Sequence, residues 1–143
     1  MFMNKKKFKK IGGWDKNIFL FFEETEYCYR AKKKFLFCYQ INAIKTQTID
    51  TTVKIKNDKI KKKWQNLLRW HFIWSKFYVT KKKHGFTLSF LIFIPLIIRI
   101  LFKLILHNLT GNNKLLDKYK FRFKGLYNSI IGKKSYLRLE DID

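Results

Sequence analysis

Residues 86–106 form one run of 21 residues in which only Thr87, Ser89, Pro95, Arg99 and Lys103 interrupt sixteen Leu, Ile and Phe. A helix of about 20 apolar residues either reaches across a bilayer or has to be covered by other protein, so this run constrains everything around it. On the membrane-insertion scale its apolar residues gain about 0.3 to 0.6 kcal/mol each, against about 2.5 to 3.5 kcal/mol lost for Arg99 and for Lys103 at mid-bilayer. Arg99, Lys103 and His107 fall four residues apart and make a single polar stripe. Pro95 kinks the helix or lets its first half enter as a wedge. Three arrangements follow: an in-plane or re-entrant membrane element, a full span, or the core helix of a protein that covers it.

Charge bears on that choice. The chain carries 32 Lys and Arg against 10 Asp and Glu, a formal +22. Such a surface attracts phosphates and anionic lipid, which makes an anionic membrane surface the expected partner and the cytoplasmic face the expected location. With 47% hydrophobic and 18% aromatic residues, the chain has enough apolar material to exclude wholesale disorder. Nucleic acid is not the expected partner, because no binding motif is present and the apolar run has no role in such a protein.

Around the run, periodicity predicts a long helix with Asp58 as N-cap and Gly85 as stop. Ile60, Trp64, Leu67, Leu68, His71, Trp74, Ser75 and Tyr78 lie on one of its faces. Trp64, Trp70 and Trp74 either anchor at the headgroup level, beside Arg99 and Lys103, or pack in a core. A last helix is predicted over 114–131, with Leu115, Tyr119, Phe123, Leu126 and Ile130 in phase and Gly132 as stop, and residues 133–143 read as a polar tail. Residues 35–41 read as a strand that the β-branched positions of 43–55 continue, and 28–34 as one or two helical turns. Cys28 and Cys38 have no metal-ligand spacing and read as reduced thiols. His71, His84 and His107 form no defensible site. The chain divides into 1–57, a helical membrane-associated region 58–132, and the tail 133–143.

Glu23, Glu24 and Glu26 crowd together directly after the aromatic run Phe19-Leu20-Phe21-Phe22. Like charges this close, against an apolar flank, raise one another's pKa and can make a general base; the same residues also suit a solvated helix start. Gly12-Gly13-Trp14-Asp15, the aromatic run and Glu23-Glu24-Thr25-Glu26-Tyr27-Cys28-Tyr29-Arg30 together resemble the acceptor-side motif of family 2 glycosyltransferases. Trp14 stands for the family's Phe, Glu24 for its usual Asp and Glu26 for its second Asp. Residues 2–8 look like the strand and turn before that motif. Residues 69–78 with 82–85 look like the helix after the catalytic domain of rhamnosyltransferase-like members.

The resemblance implies an inverting transfer, in which a base takes the proton of an acceptor hydroxyl as it attacks a nucleotide-linked sugar. Glu24 is the implied catalytic base. Trp14, Asp15, Glu23, Glu26 and Arg30 belong to the acceptor-side loop, with Arg30 paired to one of the acids. The implied fold is an α/β fragment, the C-terminal part of a GT-A domain, followed by an all-α membrane-associated region. The implied partners are a nucleotide-sugar donor and a saccharide or lipid-linked acceptor. A divalent metal, Mg or Mn, is expected in the full enzyme but not on this chain, in which no strand-helix repeat supplies an Asp-x-Asp for nucleotide and metal and Gln47 stands where the family places a histidine. The donor half is thus expected outside this chain, upstream in a longer enzyme of which this is a fragment or on another chain of a split enzyme, unless the chain is a remnant that has lost it, and the isolated chain is expected to be inactive. A small basic membrane-surface protein without catalysis is the alternative.

Overall fold

The computed structural model describes residues 4–34, 36 and 57–142. The Asn4 side chain accepts the Lys6 and Lys7 N–H groups and so starts α1 (Lys5–Ile11). Gly12, at φ 100°, ends it in the left-handed conformation, which glycine adopts without a Cβ penalty. After a loop comes α2 (Glu23–Lys33), then α3 (Asp58–His84), α4 (Phe86–Leu109), α5 (Asn113–Ile130) and a closing 3-10 turn, Leu139–Asp141.

Among the described residues every regular element is helical and none is a strand, which overturns the α/β fragment expected for 1–57. The physical reason is plain in α1. Its cap and the Phe8 to Ile11 spacing put both side chains on one helical face, where Ile11 packs against Tyr27 and Ala31 of α2 with Phe8 beside them. Of the strand and turn expected over 2–8, residues 5–8 therefore lie in a helix. The strand expected at 35–41 (residue 36 apart) and its continuation over 43–55, with Cys38 and Gln47, lie outside the described residues. The helix expected at 28–34 begins earlier, so Glu23, Glu24 and Glu26 form the first turn of α2 instead of standing between elements.

Asn57, not Asp58, caps α3, its side chain accepting the Lys59 N–H at 2.9 Å; Asp58 follows as a first-turn acid favoured by the macrodipole. Lys62 pairs with Asp117, Trp70 lies against Gly125, and Ser129 donates to the Trp74 carbonyl. Both helices advance together through these pairs, so α3 and α5 run parallel, and α4 returns antiparallel to both. Burial on α3 is broader than the single face expected, because Ile73 and Phe77 pack with Phe93, Ile100 and Leu126 while Leu67, Trp70 and Trp74 pack elsewhere. Full burial of one such side chain contributes about 1.5–3 kcal/mol.

The last residues are not a free polar tail. Leu137 and Ile142 complete the core cluster of Leu67, Trp70 and Trp74. Trp74 Nε1 donates to the Lys133 carbonyl, and buried His71 has Nε2 2.9 Å from the Leu137 carbonyl and Nδ1 2.9 Å from Ser135 Oγ. A carbonyl only accepts, so Nε2 carries the proton and Nδ1 takes one from the serine.

Candidate functional site

The loop between α1 and α2 is held from three sides. Asp15 accepts the Asn17 backbone N–H at 2.9 Å, which closes the turn after Gly13. Ser75 Oγ of α3 donates to the Leu20 carbonyl at 2.7 Å. The Arg138 guanidinium lies 3.9 Å from the centre of the Phe19 ring, which itself leans on His71. Phe21 and Phe22 both have φ near +65° (66° and 65°), a conformation that costs non-glycine residues of order 1 kcal/mol or more, and both rings brace against Phe72. This strained pair turns the chain into α2 and sets where its first acids sit.

Two of the motif carboxylates share one cation. Lys82 Nζ donates to Asp15 Oδ2 at 2.6 Å and to Glu26 Oε1 at 2.7 Å, with the two carboxylates only 7% and 1% exposed. Tyr78 adds a hydrogen bond to Asp15 at 3.0 Å. Burial alone would raise Asp15, but the Lys82 ammonium, the Asn17 N–H and the Tyr78 hydroxyl outweigh it and hold its carboxyl below the usual range. Burial would lower Lys82, and its bonds to Asp15 and Glu26 reverse that and raise it. Burial, then donation to Asp15, pushes the Tyr78 phenol up.

Arg30 takes up the rest of Glu26, with Nε 2.9 Å from both carboxylate oxygens, and donates to the Ile11 and Gly13 carbonyls at 2.9 and 2.6 Å. The guanidinium therefore fastens α2 to the Gly12-Gly13 turn. Trp14 packs on Phe8 and Tyr27, with ring centres 5.6 and 5.4 Å apart. A cleft of about 380 Å³ opens between Trp14, Asp15, Asn17, Arg30 and Lys82.

Glu24 is placed differently. It is exposed, and it lines a larger groove of about 760 Å³ together with Cys28, Tyr29, Lys32, Lys33 and Lys83. Glu23, beside it, is half-buried with Oε2 shielded from water and without a hydrogen-bond partner. The structure thus gathers Trp14, Asp15, Glu26 and Arg30 into one network and sets Glu24 outside it. Sequence reasoning missed Lys82 and Tyr78 as members: they lie 67 and 63 residues from Asp15, and Lys82 reads as one of many lysines at a helix end.

The divalent metal implied by the resemblance does not fit these residues. The Lys82 ammonium stands between Asp15 and Glu26, where a cation would have to sit, and among the described residues no three His, Cys, Asp or Glu side chains cluster.

The proposed membrane contacts separate in the same way. Trp70 and Trp74 are 1% and 2% exposed inside the bundle, so they are core residues and not headgroup anchors; Trp64 is half-buried against the same cluster. The exposed apolar surface is on α4, where Leu91, Ile98, Phe102, Ile105 and Leu109 follow one face at spacings of 7, 4, 3 and 4 residues. Only 17% of the most apolar stretch of α4 is buried, and that helix is long enough to cross a bilayer. Arg99 is exposed and Lys103 half-buried along the flank of that face. No family model, no curated protein and no solved structure matches this chain.

Proposed function

We propose that this chain carries the acceptor side of an inverting sugar transferase, held against the cytoplasmic face of a membrane by α4. The observation that carries the reading is the division of labour among the motif acids. Asp15 and Glu26 are committed to Lys82 and Arg30, which leaves Glu24 as the motif carboxylate open to a groove large enough for a saccharide. A general base must reach the hydroxyl it deprotonates and be free to take the proton; exposed Glu24 on the groove wall suits that role, whereas Glu26 is buried and held by Arg30 and Lys82. The strained Phe21-Phe22 turn and the Arg30 clamp position it. Because the resemblance covers the acceptor side alone, the nucleotide-sugar is assigned to polypeptide outside these 143 residues.

For α4 the in-plane arrangement is the best supported. Phe93 and Ile100 are buried against α3 and α5, so a full span would either strip α4 from the bundle or carry the lysine-rich surfaces of α3 and α5 into hydrocarbon. Lying in the interface, α4 buries its outer apolar face while the charged flanks meet anionic headgroups.

The test is complementation in the membranes of a producing cell that lacks the chain, where any partner polypeptide is present. Wild-type chain should restore transfer of label from nucleotide-sugars to the saccharide or lipid fraction, and Glu24→Gln should not, at equal accumulation in the membrane. Full restoration by Glu24→Gln removes the assignment.

A further inference from the structure

The groove beside Glu24 has a second property that sugar binding does not explain. Three lysines, Lys32, Lys33 and Lys83, converge on it, and the Lys33 and Lys83 ammonium groups sit 4.7 and 5.8 Å from the centre of the same Tyr29 ring. Among the described residues none of the three is in an ion pair, whereas neighbouring Lys82 binds two carboxylates. Among the described residues Glu24 is the only acid on the groove wall.

Helix C-termini attract lysines, and α2 and α3 both end here, but that attraction is weak at an exposed end and does not require the lysines to share one concavity. The frame beneath them is fixed, because the Tyr29 hydroxyl donates to the Lys83 carbonyl at 3.2 Å and ties α2 to the last turn of α3. Like charges held around an apolar wall of Cys28 and Tyr29 lower their repulsion by taking up a multiply charged anion. A neutral saccharide needs no such charge, and a free phosphate needs no such wall. Directly after Lys83 and His84 the chain turns at Gly85 into α4, whose first residues Phe86, Leu88 and Phe90 are exposed.

We propose that this groove is a binding site for a phosphate-headed amphiphile, with the phosphate on Lys32, Lys33 and Lys83 and the apolar tail passing to the exposed start of α4. The proposal deepens the acceptor reading by naming the class of molecule that enters the groove. A structural phospholipid with a terminal phosphate and a prenyl phosphate carrier share this chemistry, and the experiment separates them.

The full chain is titrated against neutral phosphatidylcholine nanodiscs containing phosphatidate, a prenyl phosphate or the corresponding prenyl alcohol, with inorganic phosphate as a soluble competitor, and apparent affinity is read by surface plasmon resonance. The triple variant Lys32→Gln/Lys33→Gln/Lys83→Gln should bind the phosphate-bearing discs about tenfold more weakly than wild type. The equal-charge control Lys5→Gln/Lys6→Gln/Lys7→Gln should stay within about twofold. Preference for one phosphate-bearing disc identifies the source, and equal binding to both means that the headgroup alone is read; either supports the site. Equal losses in the two triple variants show diffuse charge attraction and overturn it, as does binding of the prenyl alcohol discs at wild-type strength. Effective competition by inorganic phosphate overturns the role of the tail. Sugar transfer is not read here. Groove binding by a chain that restores no transfer in the complemented membranes would sink the Glu24 assignment alone, and restored transfer by a chain whose triple variant binds normally would sink the groove alone.

Discussion

Adding a methyl group at Gly125 sets two effects of opposite sign against each other. A Cβ built there falls 2.5 Å from the Trp70 carbonyl oxygen and 2.8 Å from Ile73 Cγ2. Carbon and oxygen rest no closer than about 3.3 Å, so α3 and α5 must move apart by about 0.8 Å or twist. The oxygen is backbone within a long helix and cannot swing aside as a side chain could. Separation also loosens Ile73 from Leu126 in the cluster with Phe93 and Ile100. Overpacking of this kind costs about 1–3 kcal/mol, and the backbone clash puts it toward the upper end. Alanine recovers about 0.8–1 kcal/mol of helix propensity at a position inside α5. The balance is a loss of about 1–2 kcal/mol, or roughly 4 to 8 °C in Tm at about 4 °C per kcal/mol for a chain of this size. Thermal unfolding of Gly125→Ala followed by circular dichroism in mild detergent measures it. A Tm equal to or above wild type would mean that α3 and α5 do not approach this closely.

Acid should loosen the protein in two stages. Burial first, offset in part by the Leu137 carbonyl and reinforced by Arg138, holds His71 below its usual 6.5, so the unfolded chain binds a proton that the folded chain refuses. Stability is therefore complete above about pH 6.5 and falls as pH drops below it, then falls again below about 3.8 as Asp15, also depressed, must be protonated. His71→Gln should flatten the first stage in a Tm against pH series. Arg30→Ala leaves the buried Glu26 carboxylate with Lys82 alone and frees the Ile11 and Gly13 carbonyls. A loss of about 2–3 kcal/mol is expected by urea unfolding. Ile98→Asp/Phe102→Asp places charge on the exposed face of α4 and should abolish flotation with anionic liposomes at unchanged helix content, and retained flotation would remove α4 as the membrane contact.

The bundle is the part of the fold that could be read directly. The apolar period of α3 and α5 and the stop at Gly85 are local signals, and local signals fix helices to within a residue or two. The strand expected before the motif gave way to α1 because it was carried by the resemblance and not by the residues. Asn4 as a cap and Phe8 with Ile11 on one face already favour a helix over residues 5–11. The docked tail escaped notice for a different reason: Ser135, Leu137 and Ile142 are scattered among charges, and only His71 and the Leu67, Trp70 and Trp74 cluster, some 60 to 75 positions away, give them partners. In the candidate site the motif residues are contiguous and were visible. The pairing of Arg30 with one of the acids was legible too, but the sharing of Asp15 and Glu26 by Lys82 was not, because a lysine among so many carries no pattern of its own.

The most direct measurement of the central claim is the anomeric configuration of the linkage formed in complemented membranes, read by nuclear magnetic resonance of the product alongside its rate of formation. A single displacement with Glu24 as base predicts inversion relative to the nucleotide-sugar, with the rate lost in Glu24→Gln and recovered in part by Glu24→Asp. Retention of configuration, or an inverted product formed at the wild-type rate by Glu24→Gln, would contradict it.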